Sequence, residues 1–262
     1  MRYRWILFDA DDTLFHFDAF AGLQRMFAGY GVQFGEAEYA AYTACNRPLW
    51  VQYQNGAITA LQLQQRRFAD WAQRLQTAPE TLNAAFLAAM AELCAPLDGA
   101  VDLLDALRGH ARLGLVTNGF GALQTARLQR TGLHDRFEVI AISEVVGVAK
   151  PHPGIFAYAL GQLGDPPPAQ VLMVGDNPQA DIAGGLAAGL HTCWFNAHGA
   201  AAPDGIVPHH EVASLAQLQA WLLEEPTNRA DARERLACIG SGLKSPPQRE
   251  PHQHRGPKQS TR

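Results

Sequence analysis

Short apolar runs that each stop abruptly at a polar residue constrain this chain more than any other feature. Four are clear: Trp5-Ile6-Leu7-Phe8, Leu113-Gly114-Leu115-Val116, Val139-Ile140-Ala141-Ile142 and Val171-Leu172-Met173-Val174. A weaker fifth is Thr192-Cys193-Trp194-Phe195. Runs of this length with no alternating polar positions read as strands covered on both faces, which is how a parallel sheet is built. Between them lie helix-like stretches at 100–108, 123–131, 153–163 and 181–188. Strand and helix alternate, so the spacing predicts an α/β fold with a parallel sheet.

One long segment breaks the alternation. Residues 15–95 are rich in Ala, Leu, Gln and Phe and contain no buried-strand run. Leu61, Phe68 and Trp71 recur at roughly helical spacing, as do Leu82, Phe86 and Met90. The expectation is a helical insert after the first strand, with Pro96-Leu97-Asp98-Gly99 as the returning hinge. The α/β core then comprises 1–14 and 96–225. From Pro226 the composition shifts to Pro, Gln, Arg and Ser, with eight Lys or Arg against three Asp or Glu. Apart from a short helix over Arg229–Leu236, the tail 226–262 reads as disordered.

Composition narrows the function classes. The formal net charge of -4 gives no basic field over the whole chain, so no nucleic-acid partner is expected. Cys45, Cys94, Cys193 and Cys238 form no close pair and match no zinc spacing, which suits reduced thiols in a cytoplasmic protein. The N-terminal apolar run is too short for a signal sequence, and no segment approaches the ~20 apolar residues of a membrane span.

Chemistry-bearing residues follow four of the strand positions. After the first run comes Asp9-Ala10-Asp11-Asp12-Thr13. In extended backbone the Asp9 and Asp11 carboxylates share a face, and they repel unless a cation intervenes or one is protonated. After the second run, Thr117-Asn118-Gly119 offers a hydroxyl and backbone N–H groups that suit an oxyanion. Lys150, before Pro151, can neutralise a phosphate or a carboxylate. After the fourth run, Asp176 and Asp181 flank a loop entering a helix, and carboxylates at a strand tip suit a hard cation. Each signal has a bland reading as turn, cap or surface charge. Together they gather a nucleophile, an acid/base, an oxyanion donor, a cation and metal ligands at the carboxyl ends of parallel strands, where such folds bind ligands.

In this pattern the chain resembles the haloacid dehalogenase (HAD) superfamily. Asp9-x-Asp11-x-Thr13, Thr117, Lys150, and Asp176 with Asp181 correspond in order to its four motifs. The resemblance spans residues 1–225 and implies a Rossmann-like core with a helical cap inserted after the first strand. Asp11 is the second aspartate that the superfamily's phosphatases carry and its dehalogenases lack. The stretches Phe8–Phe15, Leu49–Gly56 and Asn196-Ala197-His198 are moreover similar to bacterial pyrimidine 5′-nucleotidases, which act on UMP, dUMP and dTMP.

The resemblance implies Asp9 as nucleophile and Asp11 as general acid/base. It implies Thr117, Asn118 and Lys150 on the phosphate oxygens. Mg²⁺, or Mn²⁺, which suits the same oxygen ligands, would be held by Asp9, the Asp11 backbone carbonyl and Asp176, with Asp181 behind them. Base and ribose contacts are expected from the cap: Phe17, Asn46, Trp50, Tyr53 and Asn55. The substrate would be a small phosphate ester, with a nucleoside monophosphate foremost. Sugar-phosphate hydrolysis or a phosphomutase on the same scaffold is the alternative, and a non-catalytic phospho-ligand binding module is the alternative of another class. A cap without lysine argues against Schiff-base phosphonate chemistry. Such a fold suits a monomer or a homodimer.

Overall fold

β1 (Trp5–Phe8) is the axis of the molecule, in a computed structural model that describes residues 1–224. The basic tail from 226, Cys238 and the helix expected over Arg229–Leu236 lie outside the described residues. After β1 come five helices: α1 (Ala19–Ala28), α2 (Glu36–Gln54), α3 (Ala60–Arg66), α4 (Ala69–Arg74) and α5 (Pro79–Leu93). The chain then runs through α6 (Ala100–Leu107), β2 (Arg112–Thr117), α7 (Gly121–Thr131), β3 (Val139–Ile142), α8 (Ser143–Val146) and α9 (Pro153–Gln162). It closes with β4 (Val171–Gly175), α10 (Gly184–Ala187), β5 (His191–Phe195), β6 (His210–Val212) and α11 (Leu215–Leu223).

The six strands form one sheet in the order β3-β2-β1-β4-β5-β6, and every pair is parallel. The order reverses at β1, whose register places Phe8 beside Leu115 on one side and Val174 on the other. A crevice opens at such a reversal, outside the carboxyl ends of the strands. Both faces are covered, as the apolar runs require. Ile6 and Phe8 meet Leu103, Leu104 and Leu107 of α6 with Leu218 and Leu222 of α11. Leu7 faces the opposite way, toward Ile155, Phe156 and Ala159 of α9.

Local chemistry sets the helix starts in the 15–95 segment. Asp18 accepts the Ala21 N–H at 2.9 Å and caps α1. Thr59 and Gln62 exchange side chain and backbone hydrogen bonds at the start of α3, a reciprocal capping box. These helices close over their own aromatic core of Phe27, Tyr42, Phe68 and Phe86, joined by Phe120 and Leu123 from the entry to α7. Two strands of chain connect them to the sheet, and the two are paired. The His16 N–H donates to Ala95 O at 3.0 Å, and the Leu97 N–H donates to Leu14 O at 2.9 Å.

Some expectations are corrected. Leu61 does not share the inward face of Phe68 and Trp71: it is exposed, because the helix breaks between Arg66 and Ala69 and the periodicity restarts. The helix expected over 181–188 starts earlier and differently. Pro178–Ala183 forms one wide π turn before α10 begins. Neither β6 nor α11 was read from the sequence. Among the described residues no helix is long and apolar enough to cross a membrane.

Gly114 shows how tightly β2 is packed. A Cβ there would lie 2.6 Å from both Leu7 Cδ2 and Val139 Cγ1. Gly114→Ala is expected to cost about 1–3 kcal/mol through overpacking. The check is a lower urea midpoint at unchanged slope; an unaltered midpoint would contradict the packing argument.

Candidate active site

Lys150 is a buried charge at the strand tips, with 2 % exposure. Its Nζ donates to Asp181 Oδ1 at 2.7 Å, to Val116 O at 2.7 Å, and to Asp9 Oδ1. Burial alone would push this ammonium's pKa down, but Asp181 and Asp9 outweigh it and the net direction is up. Lys150 is therefore a fixed cation. A reciprocal pair of hydrogen bonds sets its position: Lys150 N–H to Asn118 Oδ1 at 2.7 Å, and Asn118 Nδ2 to Lys150 O at 2.8 Å. The Asn118 side chain thus ties β2's tip to the Lys150 loop.

Asp181 is fully buried with both oxygens taken, one by Lys150 and the other by the Asn177 N–H at 3.0 Å. It is not the helix cap, because the Asn177 side chain fills that role toward Gln179 and Ala180. Glycine is required at 175 for this arrangement, since a Cβ there would sit 2.3 Å from the Asp181 carboxyl carbon.

Asp176 is freer. Its carboxylate has a long 3.4 Å contact from the Thr13 hydroxyl, while its own N–H donates to Thr13 Oγ1 at 3.0 Å. The Trp194 indole donates to Asp176 O at 2.8 Å. Asp9, Asp176 and Asp181 each offer an oxygen within 4.8 Å of the others. Burial, then the charges of Asp9, Asp181 and Asp12, push the Asp176 carboxyl up to about 8. Excess negative charge and all-oxygen donors fit a hard divalent cation.

Thr117 ends β2 with 1 % exposure, and Gln124 Nε2 reaches its hydroxyl at 3.4 Å. Asp11 lies at the crevice with its side chain 29 % exposed and pairs with the wholly buried Arg127 of α7. Burial raises the Asp11 carboxyl and Arg127 opposes the rise; the net direction is up. Arg127 also lies over the Phe15 ring, 5.1 Å from its centroid. Neither Gln124 nor Arg127 was among the expected site residues. Arg127 left one signal in the sequence, its place four residues after Leu123 on the buried stripe of α7.

A cavity opens from Asp11, Asn118 and Gly119 toward the cap helices. Phe17, Asn46, Trp50, Arg67, Phe86 and Phe120 line it farther out. Of the cap residues expected to meet the substrate, Phe17, Asn46 and Trp50 are there. Tyr53 and Asn55 are not. The Tyr53 hydroxyl instead donates to Ser143 Oγ at 2.8 Å, and both residues line a separate groove over 143–152. Tyr53 follows Trp50 by three residues on α2, and its ring meets the Trp50 ring edge-on at 5.8 Å while pointing on toward the sheet domain. Gln64 donates to Glu144 at 2.5 Å, and Glu144 accepts the Gly121 N–H at 2.8 Å, so cap and core meet again beside Tyr53.

Comparison with known proteins gives the chain's relatives. Residues 3–189 match the family model of haloacid dehalogenase-like hydrolases. The chain is 58 % identical to pyrimidine 5′-nucleotidase YjjG of Escherichia coli over 222 residues, 85 % of this chain and 99 % of that one. It is 33 % identical to pyrimidine 5′-nucleotidase PynA of Streptococcus pneumoniae, covering 83 % of this chain and 94 % of that one. The magnesium-bound crystal structure of the HAD-hydrolase YfnB from Bacillus subtilis superposes with a TM-score of 0.74 at 30 % identity. That match covers 86 % of this chain and 100 % of the other, for which an interdomain movement is described.

The crowded acids make stability depend on pH. Between the ordinary carboxylate range and about 8, folded metal-free protein keeps a proton on Asp176 that the unfolded chain has released. The unfolded state binds fewer protons there, so stability falls as pH rises. Melting temperature without divalent cations is expected to drop between pH about 5 and about 8, and to drop less in Asp176→Asn. Equal slopes for the two proteins would refute this assignment.

Proposed function

The chain belongs to the haloacid dehalogenase-like hydrolases, and we propose that it hydrolyses nucleoside 5′-monophosphates with pyrimidine bases preferred, UMP, dUMP and dTMP foremost. One observation carries the reading. A single cavity has Asp11 and Asn118 at its sheet end and aromatic rings with amide and guanidinium groups at its cap end. The sheet end suits a phosphate and the cap end a planar, polar-edged base. Similarity to the two pyrimidine 5′-nucleotidases supports the same reading.

In this mechanism an Asp9 carboxylate oxygen attacks phosphorus in line. The new bond makes an aspartyl-phosphate as the bond from phosphorus to the ribose 5′ oxygen breaks. Asp11 gives its proton to that leaving oxygen, and burial of its carboxyl, which favours the protonated form, suits it to the task. A water then gives a proton to Asp11 and attacks phosphorus, releasing phosphate and restoring Asp9. Thr117, the Asn118 N–H and Lys150 hold the non-bridging oxygens, where charge spreads in the transition state. Lys150 also holds the Asp9 carboxylate in place and aims it.

Mg²⁺ is the ion we assign to the acidic cluster, on Asp9, Asp176 and the Asp11 carbonyl, with Asp181 acting through Lys150. Mn²⁺ suits the same oxygen set. When bound, the ion offsets the repulsion between the Asp9 carboxylate and the phosphate dianion.

Phosphate release from a panel of esters tests the proposal. UMP, dUMP and dTMP are expected to lead over purine nucleotides and sugar phosphates. Chelation should abolish turnover and Mg²⁺ restore it. Asp9→Asn should lower kcat by at least about 10³-fold, since an amide is no nucleophile. Preference for sugar phosphates would keep the chemistry and overturn the substrate; substantial activity in Asp9→Asn would overturn the covalent route.

A further inference from the structure

Arg67 is a buried arginine without a carboxylate partner. It has 5 % exposure, and no ion pair is found for it among the described residues. Its guanidinium carbon lies 5.0 Å from the centroid of Phe120, 5.1 Å from Phe86 and 5.2 Å from Phe68. Nε and Nη2 both donate to one neutral oxygen, Asn83 Oδ1. The Tyr42 hydroxyl is a further polar neighbour, and a desolvated charge left with an amide, a hydroxyl and ring faces is costly unless something else uses it. Arg67 lines the cavity that starts at Asp11 and Asn118.

Asn46 lines the same cavity and carries the opposite deficit. Its Oδ1 is buried with no hydrogen-bond partner. The cap end therefore holds surplus N–H donors on Arg67 and an unmet acceptor on Asn46, with Phe17, Trp50 and Phe120 as apolar walls. A second phosphate or a carboxylate on the substrate would satisfy Arg67 but has no donor for Asn46. A sugar lacks a flat face for the ring walls. Uracil and thymine answer all three, since a carbonyl oxygen stands beside the N3–H donor on a planar ring. Cytosine reverses the pattern, with an amino donor at C4 and a bare acceptor at N3.

From these deficits we infer that Arg67 and Asn46 are the specificity-determining pair of the cap. Arg67 donates to a ring carbonyl of uracil or thymine and Asn46 accepts from N3–H, so that keto-pyrimidines are taken over cytosine. This rests on the nucleotidase reading above and names the residues that choose the base. Full engagement needs the cavity to widen slightly around Asn46, as a ring entering between Trp50 and Phe17 would require.

The test measures kcat/KM for UMP, CMP, 3-methyluridine 5′-monophosphate and ribose 5-phosphate in the full chain, as wild type, Arg67→Met and Asn46→Leu. Wild type should prefer UMP over CMP and over the 3-methyl analogue by about tenfold or more each, the value of one good hydrogen bond to a charged or buried group. Arg67→Met should lower the UMP to ribose 5-phosphate ratio by about 10–100-fold. Asn46→Leu should bring UMP and its 3-methyl analogue to near equality. Equal losses on UMP and ribose 5-phosphate in Arg67→Met would make the arginine a packing residue and overturn the inference. A UMP to 3-methyl ratio unmoved by Asn46→Leu would do the same, even if Arg67→Met failed to fold. Failure of the nucleotidase reading itself shows in wild type alone, as ribose 5-phosphate turned over as well as UMP.

Discussion

Two buried carboxylates, Asp9 and Asp181, share one buried ammonium, and the rest of the site depends on that arrangement. The three groups come from the tip of β1, the turn after β4 and the loop between α8 and α9. None could keep its charge in that interior alone, because desolvation costs several kcal/mol per ion. Held together, with Val116 O as a further acceptor, the triad is sustained and the three segments are locked in relative position. Asp176 lies outside this compensation. Two carboxylates against one ammonium leave net negative charge at the base of the crevice, and Asp176 adds to it at the mouth, the place where a cation would offset it.

How much of this was legible follows from what each signal reports. Uninterrupted apolar runs report burial on both faces, so five of the six strands were readable from residue type alone. β6 is three residues, His210–Val212, of which only Val212 is buried, and so short a stretch carries no period. The strand-tip acids were readable because charges directly after a buried run need a reason. Helical spacing in α2 gave neighbours but not azimuth. It ranked Trp50 with Tyr53, although one lines the cavity and the other bonds Ser143 in the sheet domain.

The two arginines were missed for a common reason. Charged residues in helices are usually solvated, and that prior hid them. Yet Arg67 follows Leu63 by four residues and Arg127 follows Leu123 by four, and both leucines are buried. A charge on the apolar stripe is the readable anomaly, and here each instance ends beside the cavity or beside Asp11.

The doubled connection between helices and sheet governs more than position. A domain hung on one strand would swing like a weight on a string, and its return to register would be a search in three dimensions. Here residues 14–16 and 95–97 run side by side and bond to each other. Such a ribbon flexes across its width and resists sliding along its length, so it behaves as a door leaf on a hinge pin. Part of what fastens the leaf is at the far edge, the Tyr53–Ser143 and Gln64–Glu144 hydrogen bonds. At about 1–3 kcal/mol net apiece, those bonds are a catch that works together with the packing of Phe120 and Leu123 into the helical core.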